Sequence, residues 1–86
     1  MPKVSEFYGI RIYQRLREHG VAHFHARYGG DESSVSIETL EILAGRLSRR
    51  QRHLVLEWAV QHQAELLANW NKAQRGEGPQ QIDPLP

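Results

Sequence analysis

Three segments in the first half of the chain alternate apolar and polar residues with a period of two, which is typical of half-buried β-strands. They span residues 7–17, 23–28 and 34–38. Gly20 lies in the first connection and residues 29–31, Gly-Gly-Asp, form the second, and both are turn sequences. Residues 39–45 fit either a fourth short strand or a loop. The pattern therefore predicts an antiparallel meander of three or four strands.

The second half of the chain predicts one long helix. Ser48 followed by Gln51 fits a capping box, in which the serine oxygen accepts from a first-turn N–H and the glutamine reaches back. No glycine or proline follows until about residue 75, and apolar residues recur at helical spacing. We expect this helix to cover the apolar face of the sheet, formed by Tyr8, Ile10, Ile12, Phe24, Ala26, Tyr28, Val35 and Ile37.

The predicted fold is therefore α+β, an antiparallel meander with one long C-terminal helix packed on one face. We predict a single domain over residues 1–75 and a flexible, polar and proline-rich tail over residues 76–86. A chain of 86 residues buries only about 60–65% of its unfolded surface, so its core is thin. A deep, enclosed active site is therefore not expected within one copy.

Composition narrows the class of protein. The chain has no cysteine, which excludes disulfides, thiolate metal sites and cysteine nucleophiles. No apolar run approaches the roughly 18 residues of a membrane span, and residues 1–6 hold no apolar signal segment. We therefore expect a cytoplasmic protein without a membrane partner. The net charge is only +1, but nine of the eleven basic residues are arginine, which suits bidentate contacts with phosphate or carboxylate.

Residues 23–29, His-Phe-His-Ala-Arg-Tyr-Gly, carry the most informative chemistry. If Phe24 faces the helix, the alternation turns His23, His25 and Arg27 to the opposite face. That face would also carry Arg11, Tyr13, Arg15, Ser36 and Glu38. The expected turns place His25 between Arg15 and Glu38. Because like charges across strands are unfavourable, this basic face predicts either a bound anion or partner, or a solvated surface with a His25–Glu38 hydrogen bond.

A metal site is an alternative interpretation of the same strand. Histidines at i and i+2 place their imidazoles on one side, about 6.5–7 Å apart by the strand rise. A first-row metal needs a third ligand, which His19 or Glu18 in the adjoining loop could supply. The flanking arginines would repel a divalent cation, so no cofactor is predicted. A metal-assisted or histidine-based nuclease that uses His23 and His25 is the alternative function.

Two further candidate surfaces lie on the predicted helix. The arginines at its start oppose the helix dipole, which favours a bound phosphate, with nucleic acid the natural ligand, or else solvated side chains. This group comprises Arg46, Arg49, Arg50 and Arg52. The second surface is a stripe at helical spacing that fits either a groove or the margin of the core. It comprises Trp58, His62, Glu65 and Asn69.

Separated segments at residues 7–10, 23–29, 54–58 and 65–70 occur in an order that resembles a small bacterial family, domain of unknown function 4160. Where that family has a proline pair, this chain has Val21 and Ala22. The resemblance implies a small cytoplasmic protein encoded beside a second small protein, in an arrangement of toxin–antitoxin type. It carries over no catalytic residue, because it implies no particular activity. We therefore expect a non-enzymatic binding module that acts with a partner protein, with RNA or DNA as a further ligand.

Overall fold

The computed structural model describes residues 2–86, and its five strands form one antiparallel sheet in chain order. The strands are β1 (Lys3–Phe7), β2 (Ile10–Tyr13), β3 (His23–Tyr28), β4 (Asp31–Ser36) and β5 (Ile42–Gly45). Each strand pairs with its neighbours in sequence, as in a meander. The predicted α+β class and antiparallel meander are confirmed, with five strands where three or four were expected.

The first predicted strand is a hairpin. Tyr8 and Gly9 form a two-residue turn with φ of 50° and 80°, the double positive φ of a type I′ turn. Residues 14–17 leave the sheet and form a loop. The side chain of Tyr8, expected in the core, is therefore on a turn and 55% exposed. Tyr28 was also expected in the core, but it ends β3 and is 40% exposed.

Two helices, α1 (Arg49–Gln61) and α2 (Gln63–Gln74), replace the single long helix that the sequence predicts. The break is at His62, whose φ of −127° and ψ of 20° are not helical. Its N–H donates to the Ala59 carbonyl oxygen and so ends α1. Ser48 caps α1 as expected, since its side chain accepts from the Gln51 N–H at 3.4 Å. Neither helix of residues 2–86 is long and apolar enough to cross a bilayer.

The core lies between the sheet and the helices, with Trp58 of α1 at its centre. Its ring centroid is 5.3 Å from that of Phe7 and 5.9 Å from that of Phe24. The other buried apolar side chains of this cluster are Val4, Ile10, Ile12, Ala26, Val35, Ile37, Val55, Ala59, Leu66 and Ile82. Aromatic and β-branched residues thus fill a single thin layer, as the short chain requires.

Residues 76–86, predicted as a flexible tail, pack back onto the domain. The Ile82 N–H donates to the Val4 carbonyl oxygen at 2.8 Å, and the Ile82 side chain is buried. The Trp58 indole N–H donates to the Asp83 carbonyl oxygen at 2.7 Å. The tail therefore covers the outer edge of β1 and completes the core.

Candidate functional site

Glu18, His23 and His25 converge on the side of β3 that faces away from Phe24. One possible ligand atom from each lies within 4.8 Å of the other two. Nε2 of His25 is 2.7 Å from one carboxylate oxygen of Glu18, and Nε2 of His23 is 3.3 Å from the other. The His25 side chain is only 6% exposed and that of His23 11%. We call these three residues the His–Glu cluster.

Contacts with α2 position Glu18. The loop between β2 and β3 is fixed at Arg17, whose N–H donates to the Ala73 carbonyl oxygen at 3.1 Å. The Gln74 side chain donates to the carbonyl oxygen of Glu18 itself at 3.1 Å. These bonds join residues more than fifty positions apart in the chain. Helix α2 therefore decides where the carboxylate lies.

The Nδ1 atoms of both histidines face polar groups of the protein. Nδ1 of His23 is 2.8 Å from the Val21 carbonyl oxygen, and it carries the proton because a carbonyl only accepts. The His23 ring also packs on Trp70, with 5.1 Å between the centroids. Nδ1 of His25 is 3.5 Å from a Glu32 carboxylate oxygen. Both Nε2 atoms are therefore directed toward Glu18, the orientation in which histidines ligate metals.

A second ion pair borders the cluster. Arg15 donates through Nη2 to Glu32 at 3.1 Å, and its Nη1 lies 3.3 Å from Nε2 of His25. The guanidinium side chain is 31% exposed and the Glu32 side chain 35% exposed. The site thus contains two carboxylates and one arginine around two imidazoles.

The predicted register around His25 was partly wrong. Arg15 contacts His25 as expected, but the residue opposite His25 on β4 is Ser34, not Glu38. The reason is the tight turn at residues 29–30, which brings β4 back earlier than a turn centred on residues 31–32. Glu38 is exposed beyond the end of β4, and its carbonyl oxygen accepts from Gln63 at 3.3 Å.

The face predicted to be open is half closed. Arg11 and Arg27 lie opposite each other, both exposed, and Tyr13 lies opposite His25. Arg15 and Glu18 cover the histidines, so His25 is buried rather than solvated. His19 is exposed and lines a groove beside His23, but it is not one of the converging ligand atoms.

Sequence reasoning missed Glu32 and Trp70. A two-residue turn at residues 29–30 would have placed Glu32 opposite Arg27, two positions along the strand pair from His25. That glycine pair was the available signal for Glu32. No local pattern indicates that Trp70, from α2, packs on His23.

The helix-flank stripe contacts the tail of the same chain. Asn69 accepts from the Gln80 N–H at 2.9 Å and donates to the Gln80 carbonyl oxygen at 2.9 Å. The Trp58 indole is bonded to residue 83, as described above, and packs on His62 at 5.3 Å. His62 in turn contacts Glu65 at 2.5 Å. Residues 80–83 therefore cover this stripe, for which the sequence predicted either a groove or the margin of the core.

The arginines at the start of α1 form a separate surface. They belong to the second half of the sequence, whereas the His–Glu cluster belongs to the first. Arg46, Arg49, Arg50 and Arg52 are all exposed, and the last three line one groove with His53. The first turn of α1 holds no acidic residue. Within residues 2–86, no ion pair involves these four arginines.

Burial and the histidines act in opposite directions on the Glu18 carboxyl. Burial raises its pKa, but hydrogen bonds and charge from His25 and His23 outweigh burial, and the pKa is lowered. A carboxyl with a lowered folded-state pKa stabilises the fold above its unfolded pKa, and this stabilisation is lost as the pH falls through the folded value.

We therefore expect Glu18→Gln to flatten the loss of stability in acid. Wild type should lose more unfolding free energy than the variant between about pH 5 and about pH 3. Urea denaturation across that range measures the difference. Glu38→Gln, at an exposed position outside the cluster, is the matched control. An equal flattening in both variants would contradict the assignment to Glu18.

Comparison with known proteins gives one match. Residues 8–71 match a family model described as Domain of unknown function (DUF4160). The matched range runs from the β1–β2 turn into α2 and contains the whole His–Glu cluster. No match was found among curated proteins or among solved structures.

Proposed function

We propose a function for this chain, which belongs to the family of domain of unknown function 4160, from the geometry of its His–Glu cluster. The chain binds a divalent transition-metal ion through Glu18, His23 and His25. The observation that carries this proposal is the convergence of two imidazole Nε2 atoms on one carboxylate, with Nδ1 of His23 bonded to a backbone carbonyl from behind.

The donor set suits a first-row metal. Imidazole nitrogens and a carboxylate are ligands for zinc, iron, cobalt, nickel and manganese. In metal sites a ligating histidine commonly donates its other ring N–H to a carbonyl or carboxylate. The Val21 carbonyl accepts in this way from His23, and the Glu32 carboxylate lies 3.5 Å from Nδ1 of His25. The positive charge of Arg15, which argued against a metal, is offset because the Glu32 carboxylate accepts a hydrogen bond from Arg15.

The number of protein ligands bears on the chemistry. Three ligands leave a coordination position for water or substrate, as in catalytic zinc sites, whereas structural sites are closed by four. A bound metal in such a site supplies a Lewis acid that activates water. The open coordination position favours a metal-assisted nuclease over a nuclease that uses the histidines alone. Hydrolysis of a phosphodiester stays a prediction.

Metal titration tests the proposal. We expect Co²⁺ or Zn²⁺ to bind with release of protons, because Nε2 of His25 lies within hydrogen-bond distance of Glu18 and a metal would displace the proton between them. His25→Ala and His23→Ala should each weaken binding by about 100-fold or more, since second-shell losses alone cost about 10–100-fold. Calorimetry and the visible absorbance of Co²⁺ measure the affinity.

The matched control is His53→Ala, an exposed histidine outside the cluster. It should bind metal like wild type. Circular dichroism establishes that each variant is folded. If the buried His25→Ala fails to fold, His23→Ala decides the result. Absence of binding to wild type at millimolar Co²⁺ and Zn²⁺, or equal binding by His23→Ala, would contradict the proposal.

A second function is favoured by the arginine surface at the start of α1. We propose that it binds nucleic acid, since exposed arginines without acidic partners suit a run of phosphates. We also propose a partner protein encoded beside this chain, from the family resemblance, and a cytoplasmic location, from the resemblance and the composition.

Salt dependence tests the second function. Binding of a fluorescent single-stranded RNA should weaken as salt is added. The slope of the logarithm of the binding constant against the logarithm of the salt concentration should fall in magnitude by about 0.7 for each phosphate contact removed. The double variant Arg50→Gln/Arg52→Gln should therefore reduce the slope by about 1.4. Arg75→Gln is the control, because Arg75 is paired with Glu77 at 3.0 Å. Binding that does not depend on salt, or equal loss in the control, would contradict this function.

A further inference from the structure

The charges described in and around the His–Glu cluster do not sum to zero once a divalent metal is bound. Glu18 and Glu32 contribute two negative charges and Arg15 contributes one positive charge. With neutral imidazoles and a divalent metal, the sum is +1. The side chains are half-buried or buried, with exposed fractions from 6% to 35%. Water screens charge less in such a site than at an open surface, so an anion is favoured there.

Arg15 is placed to contact that anion. Glu32 fixes the guanidinium through Nη2 at 3.1 Å, and Nη1 lies 3.3 Å from Nε2 of His25. Nε2 is the atom that would ligate the metal. A guanidinium N–H this close to a ligand atom is within reach of an oxygen bound to the same metal. Arginine is also the side chain best suited to hold a phosphate or a carboxylate.

We propose that the metal-loaded site takes a phosphate group as its exogenous ligand, with Arg15 as the residue that holds the phosphate. This inference rests on the proposed metal site. The ligand completes the coordination position that three protein ligands leave, and it brings the charge of the site below zero or to zero according to its own ionisation.

Titration of the Co²⁺-loaded protein with inorganic phosphate and phenyl phosphate tests the inference, with acetate as a carboxylate probe. The visible spectrum of Co²⁺ reports anion coordination, and metal affinity is measured separately without anion. We expect both phosphate probes to perturb the spectrum. Acetate should bind more weakly than either.

Arg15→Gln should weaken phosphate binding by about tenfold or more, the size of a lost charge-assisted hydrogen bond, while Co²⁺ affinity is retained. Arg15→Lys keeps the charge and should lose less. The matched control is Arg11→Gln, an exposed arginine elsewhere on the sheet, which should bind phosphate like wild type. The metal measurement on each variant also establishes that the cluster is intact.

Several outcomes would overturn the inference while leaving the metal site in place. They are a Co²⁺-loaded protein that binds no phosphate probe, phosphate binding that is equal without metal, or binding that Arg15→Gln leaves unchanged. Tighter binding of acetate would overturn phosphate as the ligand class. Failure to bind Co²⁺ would overturn the proposed function itself, and this inference with it.

Discussion

Replacing Trp58 with alanine is expected to lower the free energy of unfolding by about 3–5 kcal/mol. The side chain is fully buried and packs against Phe7 and Phe24, so its removal leaves a large cavity between α1 and the sheet. It also removes the indole N–H that donates to the Asp83 carbonyl oxygen at 2.7 Å, one of the contacts that hold the tail. Urea denaturation followed by circular dichroism measures the loss.

Two comparisons sharpen this result. Val60→Ala, at a position 59% exposed on the same helix, should change the unfolding free energy by less than about 0.5 kcal/mol. Trp58→Phe keeps an aromatic ring but lacks the donor, so amide exchange at Ile82 should accelerate as the tail loosens. Equal losses in Trp58→Ala and Val60→Ala would contradict the central place of Trp58 in the core.

Gly45→Ala is expected to cost about 2–5 kcal/mol, because two separate effects add. Gly45 has φ of +75°, where a residue with a Cβ atom is strained. A Cβ there would also lie 2.0 Å from the Glu32 carbonyl oxygen, where β5 passes close to β4. The carbonyl oxygen belongs to the backbone of β4 and the Cβ is fixed to the backbone of β5, so the strands must separate. The same denaturation experiment measures the loss.

Gly20→Ala separates the backbone strain from the steric clash. Gly20 has φ of +90°, but nothing lies within 4 Å of a Cβ placed there. Only the backbone strain remains, so the expected loss is about 1–2 kcal/mol. A loss at Gly45 no larger than that at Gly20 would mean that the close approach of β5 to Glu32 is not maintained in solution.

These two positions bear on function as well as on stability. Trp58 anchors the tail and the helix pair, and α2 of that pair holds the loop that carries Glu18. Gly45 lets β5 pack against the backbone of Glu32, whose side chain accepts from Arg15. The His–Glu cluster is therefore supported from the core on one side and from the edge of the sheet on the other.

Local patterns predicted several parts of this structure correctly. The period of two placed Phe24 in the core and the histidines on the other face. The predicted pairing with β4 was shifted, but a shift by two or four residues leaves each side chain on the same face. Ser48 was correct as the cap of α1, because a cap depends only on residues three positions apart. Glu18 was named as one possible third ligand, but nothing local preferred it to His19.

Other parts carried no reliable local signal. The turn at Tyr8 was hidden because apolar residues continue through it, and a tyrosine at positive φ is uncommon. The helix break at His62 follows no glycine or proline. Residues 76–86 are polar and rich in proline, and they pack because distant residues, among them Val4, Trp58 and Asn69, offer complementary groups.

By itself, then, the sequence determined the α+β class, the two faces of β3 and the presence of two histidines on one of them, because each depends on neighbours within a few residues. The tertiary structure alone decided which acidic groups meet those histidines. Glu18 arrives on a loop that α2 holds through Ala73 and Gln74, and Glu32 arrives through the register of a two-residue turn. A ligand set drawn from distant segments depends on packing and register, which no single stretch of sequence specifies.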